Sequence, residues 1–137
     1  RLLVHTLVDY DGTLDVGEYI DEGIVKLAMD ADIAGASTTI TSTINLLHQA
    51  AGGNALRRFQ DGNYSGRVGL VGLEAIAVGV AKNLTAIQQQ ADPVKFVQDK
   101  SQAFWEQPDV ESFVSPGMRG TTRIQKTVPF GSDWFKP

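Results

Sequence analysis

Cysteine is absent from the 137 residues. That excludes disulfides, thiolate catalysis and cysteine-ligated zinc. Histidine is scarce: His5 and His48 are the only two. They are too few for a histidine-rich metal site, and both lie on apolar stretches where a structural role is expected. Charge of one sign is also lacking, since 12 Lys and Arg stand against 16 Asp and Glu for a net charge of −4. No whole-chain argument for nucleic-acid binding follows, although a local basic patch stays open. Long hydrophobic runs are missing too. The longest, VGLVGLEAIAVGVA, has 14 residues and contains Glu74. It is too short to span a bilayer and reads as a buried helix. The first residues show no signal-peptide pattern of charge, apolar run and small-residue cleavage site.

What is present describes a globular chain. Apolar residues make up 42% and charged residues 20%, which is the balance of a packed protein rather than a disordered one. The expectation is a single domain over residues 1–137, cytoplasmic and without a membrane partner. Because the chain opens on Arg1 and not on Met, it is expected to be a piece of something longer.

Helix signals recur along the chain. Val16, Tyr19, Ile20, Ile24 and Leu27 fall at spacings of three and four, with Asp15 and Glu18 placed as a capping box. Ser37 is placed to cap a second helix whose stripe is Ile40, Ile44, Leu47 and Ala51, and Gly52-Gly53 stop it. Its threonines suit a strand as well. Asn54 is placed to cap a short turn, and QDGNYSGR reads as a loop. Val68 to Lys82 reads as the central helix of a bundle, its glycines Gly69, Gly72 and Gly79 allowing close packing; a buried strand is the other option. Asp92-Pro93 opens a helix with the stripe Val94, Val97, Ser101 and Phe104. Pro108-Asp109 opens a short one. Thr121 or Thr122 caps a last helix that Pro129 and Gly131 end, leaving an irregular tail. The sum is an all-α fold, an irregular bundle of six to seven helices.

Several motifs invite chemistry. LVDYDGTLD, Leu7 to Asp15, has the Asp-x-Asp-Gly-Thr-Leu form with which haloacid-dehalogenase-type phosphatases begin. In that chemistry Asp9 is the nucleophile and Asp11 handles the leaving-group proton. Thr41 or Ser42 and Lys82 are candidates to hold the phosphoryl oxygens. The nucleophile must end a central parallel strand beside a magnesium ion. After residue 61 no two acids are adjacent to complete the metal site, and strands for a parallel sheet are lacking. The competing reading makes Asp11-Gly12 a turn and Asp15 a helix cap. Gly66, Gly69 and Gly72 do not have dinucleotide-loop spacing. Phe104, Trp105 and Phe113 have the spacing of core aromatics, with base stacking as the alternative.

The basic residues are more suggestive. Arg57 and Arg58 precede the polar loop and Arg67 follows it. Arg119, Arg123 and Lys126 share one helical face if the last helix extends that far back. They adjoin a helix start, where free backbone N–H groups favour anions. Together these six residues are the candidate contacts for nucleotide or nucleic-acid phosphates; a solvated face beside a helix cap is the plainer reading. No catalytic, metal or cofactor site is assigned.

In order along the chain, these segments resemble the helical C-terminal part of GmrSD-type proteins, the family known as domain of unknown function 262. Tyr10-Asp11-Gly12-Thr13-Leu14-Asp15 looks like the family's Y-x-G-x-L-D loop between two helices. INLLHQAAGGNALRRF is similar to the segment where a helix ends in glycine and an A-F-R turn follows, with Leu56 in the aromatic's place. GRVGLVGLEAIAVGVAKN looks like the next helix, with Glu74 in register. FVSPGMRGTTRIQKTV resembles the closing element, with Arg123-Ile124 at its end. Members commonly act in restriction of modified foreign DNA and in anti-phage defence. The family's DGQQR motif and the His-Asn-His nuclease motif of some members are absent from these residues. The resemblance therefore implies a helical accessory domain without a complete active site of its own. Its partners would be the remainder of the parent protein and DNA or nucleotide, the latter in contact with Arg123. A magnesium-dependent phosphatase and a protein–protein interaction module are the alternatives.

Overall fold

The computed structural model describes residues 1–30 and 32–137. It is mostly helical, with eight α-helices and one small two-stranded sheet among the described residues. The all-α expectation therefore holds broadly, and the hairpin is its exception.

Helix α1 spans Leu2–Leu7 and α2 spans Val16–Asp30. The loop between them ends in the expected capping box. The Glu18 amide donates to Asp15 Oδ1 at 2.9 Å, and the Asp15 amide reaches back to Glu18 Oε2 at 3.4 Å. The stripe on α2 is narrower than expected: Tyr19 is buried, but Ile24 is 53% exposed.

Helix α3 spans Ile33–Ala51 and starts earlier than Ser37. Asp32 is its cap, accepting from the Gly35 amide at 3.0 Å. Threonines fit inside this helix because Thr38, Thr39 and Thr43 each donate their hydroxyl to the carbonyl four residues back, which satisfies the polar group locally. The buried face runs through Ala36, Thr43, Leu46, Leu47 and Ala50, while Ile44 points out.

The segment read as a loop folds into a hairpin, β1 (Arg58–Gln60) against β2 (Asn63–Ser65). The turn is Asp61-Gly62, with φ of 51° and 77°. A two-residue turn with both φ positive matches strand twist, and Asp-Gly is a favoured pair for it. Phe59 and Tyr64 face each other across the strands, ring centroids 4.8 Å apart.

The apolar run is helical, as expected, but not uniformly α. A π-helical segment, Gly72–Ala77, runs directly into α4, Val78–Lys82. A short α5 follows at Leu84–Gln88, then α6 at Pro93–Phe104 and α7 at Pro108–Phe113. Asp92 caps α6, accepting from the Lys95 amide at 2.9 Å.

The last helix, α8, is Gly120–Trp134. It passes through Pro129 and Gly131, where an end was expected. Tertiary packing offsets the backbone bond that proline removes. A Cβ on Gly131 would overlap the Ala75 backbone, and one on Gly79 would overlap the Gly131 carbonyl. Only glycine permits this crossing of α8 over the central helix. Phe135 beyond it is fully buried, and Asn83 donates its amide to Gly79 O and Ser132 O at 2.9 and 2.8 Å. The tail is thus anchored rather than irregular. Helix α4 packs on α8 and α3 on α6. One apolar cluster runs from Leu46 through Ile76, Phe104 and Phe113 to Phe135.

Candidate functional site

The central helix places one acid inside the protein. Glu74 is fully buried on the π-helical segment. Arg123 on α8 meets it with both arms: Nε donates to Oε2 and Nη2 to Oε1, each at 2.9 Å. The Thr127 hydroxyl donates to Glu74 Oε2 at 3.0 Å, one helical turn below. Arg123 and Thr127 lie four apart, so one face of α8 supplies both partners. A bidentate guanidinium–carboxylate pair is the strongest hydrogen-bonded arrangement available to these groups. Donating these bonds to Glu74 pushes the Arg123 guanidinium still further above its ordinary value, and desolvation opposes this without prevailing.

Arg123 is one of the six candidate phosphate contacts, and its guanidinium is the one that pairs with Glu74. Its side chain is 16% exposed and occupied by Glu74, so its charge is neutralised from within. Arg57 is also engaged internally. Its Nε donates to the Gly66 carbonyl at 2.8 Å and its Nη1 to Asn54 Oδ1 at 2.7 Å, which ties the base of the hairpin together. Arg58 and Arg67 are exposed and line one cavity of about 370 Å³ with Leu70, Trp105, Met118 and the edge of Arg123. The hairpin causes this juxtaposition: Arg58 pairs with Ser65 across the strands, which brings the chain at Arg67 back beside it. Arg119 immediately precedes α8, whose start has no side-chain cap, and Lys126 is exposed on the same helix. Neither lines that cavity. The sequence's two basic groups are thus joined at one point only, Arg123.

The aromatics divide. Phe104 and Phe113 are core residues, whereas Trp105 is half-buried at the cavity wall, edge-on to Phe104 at 5.0 Å. His5 is buried, but His48 is exposed on α3.

The opening motif is built differently from a phosphatase. A helix, α1, precedes Asp9 where a strand is required, and the one sheet among the described residues is an antiparallel hairpin. Asp11 Oδ1 accepts from the amide and hydroxyl of Thr13, at 2.9 and 2.7 Å, and these bonds hold its carboxyl below the usual range. That is a turn-forming aspartate. Asp9 and Lys82 come within 3.7 Å, while Thr41 lines a separate groove between α2 and α3. No group of three or more His, Asp or Glu side chains gathers to hold a metal ion among the described residues.

Thr127 and the pairing of Glu74 escaped the sequence reading. One signal was available: a lone acid in a 14-residue apolar run must find a cation when that run is buried. No protein family, curated protein or solved structure matches this chain. No helix among the described residues is long and apolar enough to cross a membrane.

Proposed function

We propose that this chain is the helical accessory domain of a GmrSD-type restriction or anti-phage-defence protein, working in the cytoplasm, and that it contacts DNA or nucleotide phosphates through Arg58 and Arg67. One observation carries the contact: two exposed guanidiniums, with no ion-pair or hydrogen-bond partner among the described residues, border a single cavity that Trp105 also lines. Guanidiniums match phosphate geometry, and Trp105 offers a surface on which a base stacks. Arg119 and Lys126 add positive field without lining the cavity. Arg57 and Arg123 support the site from behind, one by closing the hairpin and the other by fixing α8 to the central helix.

Affinity for a short DNA, measured over a range of salt, tests this. Arg58→Glu and Arg67→Glu should weaken binding and lower the salt slope by about 1 for each phosphate no longer neutralised. Unchanged affinity and slope in the double variant would sink the reading. The partner in this proposal is the remainder of the parent protein. Ile24 and Ile33, which are 53% and 65% exposed and line one groove with Leu27 and Ile40, supply the apolar face that such docking uses. If the chain is instead an interaction module alone, charge substitutions on this face will abolish partner capture while the arginine variants leave it intact.

A further inference from the structure

A second cavity, of about 460 Å³, lies on the other side of α8, between the α1–α2 loop and the end of α4. His5 is one of the residues that line it. That residue is 1% exposed, and neither imidazole nitrogen meets a hydrogen-bond partner among the described residues. A buried polar group without a partner loses its hydration with nothing in return, so an orphaned imidazole at a cavity wall requires an explanation. Burial pushes His5 down to about 4; Glu74 opposes this, while Arg1, the N-terminus and Arg123 reinforce it. At neutral pH the ring therefore offers one donor and one acceptor.

The rest of the cavity defines a ligand. Tyr10 and Tyr19 stand with ring centroids 4.8 Å apart, and Ile124 and Val128 of α8 add apolar surface. The tyrosine hydroxyls are already engaged as donors, Tyr10 to the Leu14 carbonyl and Tyr19 to the Val8 carbonyl. One cation reaches the site, Lys82, whose side chain is 24% exposed. Its neighbour Asp9 is fully exposed at 3.7 Å, and such a surface pair contributes little and parts easily. A single ammonium matches one negative charge, not a phosphate dianion. The volume falls in the range of small-molecule sites.

We propose that this cavity binds a small planar monocarboxylate, its carboxylate on Lys82, its ring against Tyr10 and Tyr19, and a hydroxyl at its far edge on His5. The site shares no lining residue with the arginine cavity and stands independently of it.

The probe is 4-hydroxybenzoate, titrated into the whole chain and followed by the ring resonances of His5 and Tyr10. Saturable shifts are expected at millimolar or lower concentration, with affinity at least tenfold lower for Lys82→Met. Lys82 is at the surface end of α4, so that variant keeps the fold. Benzoate, lacking the hydroxyl, should bind more weakly and shift His5 less. The uncharged 4-hydroxybenzyl alcohol should bind at least tenfold more weakly. The proposal is overturned if the His5 resonances stay unmoved, if Lys82→Met binds the probe as the parent does, or if the uncharged alcohol binds equally well.

Discussion

Arg123 grips Glu74 through two parallel hydrogen bonds of 2.9 Å each, joining α8 to the π-helical turn of the central helix. The carboxylate is fully buried, and the guanidinium side chain is 16% exposed. Removing one partner is therefore far worse than removing both. Arg123→Met should cost about 3–5 kcal/mol by chemical denaturation, because it strands a buried charge. Glu74→Leu combined with Arg123→Leu should recover most of that loss. A double variant as unstable as the single one would show that the pair does more than neutralise itself.

His5 makes stability depend on pH. Its folded-state value is about 4, against an ordinary 6.5. As pH falls through 6.5 the unfolded chain takes up the proton first, so the folded state loses ground from there down to about 4. Above 6.5 this contribution is constant. The loss across the window is on the order of 3 kcal/mol. Unfolding free energies of the parent and of His5→Phe, compared between neutral pH and pH 4, isolate it from the other titrating groups. A parent curve parallel to that of His5→Phe would mean that His5 is protonated without cost.

Asp15 should be the carboxylate of the opening motif that matters most for stability. It accepts the Glu18 amide at 2.9 Å, whereas Asp9 is fully exposed. Asp15→Ala is expected to cost about 1 kcal/mol. Asp9→Asn should leave thermal stability unchanged within about 0.5 kcal/mol.

The helix crossing at Gly79 and Gly131 leaves no room for a methyl group. Alanine favours an isolated helix over glycine, so propensity alone predicts a gain. Overpacking predicts a loss of about 1–3 kcal/mol for either Gly131→Ala or Gly79→Ala. Denaturation midpoints decide between them, and an increase would show that α8 shifts freely on the central helix.

Local signals read well where neighbours in sequence are partners in space. The Asp15–Glu18 box, the Asp92-Pro93 start and the helicity of the 68–82 run are all short-range, and the structure has each of them, the helix beginning at residue 70. Helix ends read poorly where distant residues decide them. Pro129 and Gly131 look like stop signals, yet the Ala75 backbone and the pocket for Phe135 carry α8 past both. The hairpin was legible in principle, since Asp61-Gly62 is a strong turn pair, but its strands are three residues each and too short to show alternation.

The same division holds for the sites. Composition and local pattern alone determined a helical, cysteine-free chain whose arginines cluster at two junctions, because propensity, capping and charge count are properties of neighbouring residues. Which arginines are free was decided only by tertiary structure. Arg123 and Arg58 are indistinguishable as letters; one folds against a buried acid 49 positions away, and the other projects from a hairpin edge. Burial of a charge requires a partner, and the fold chooses it.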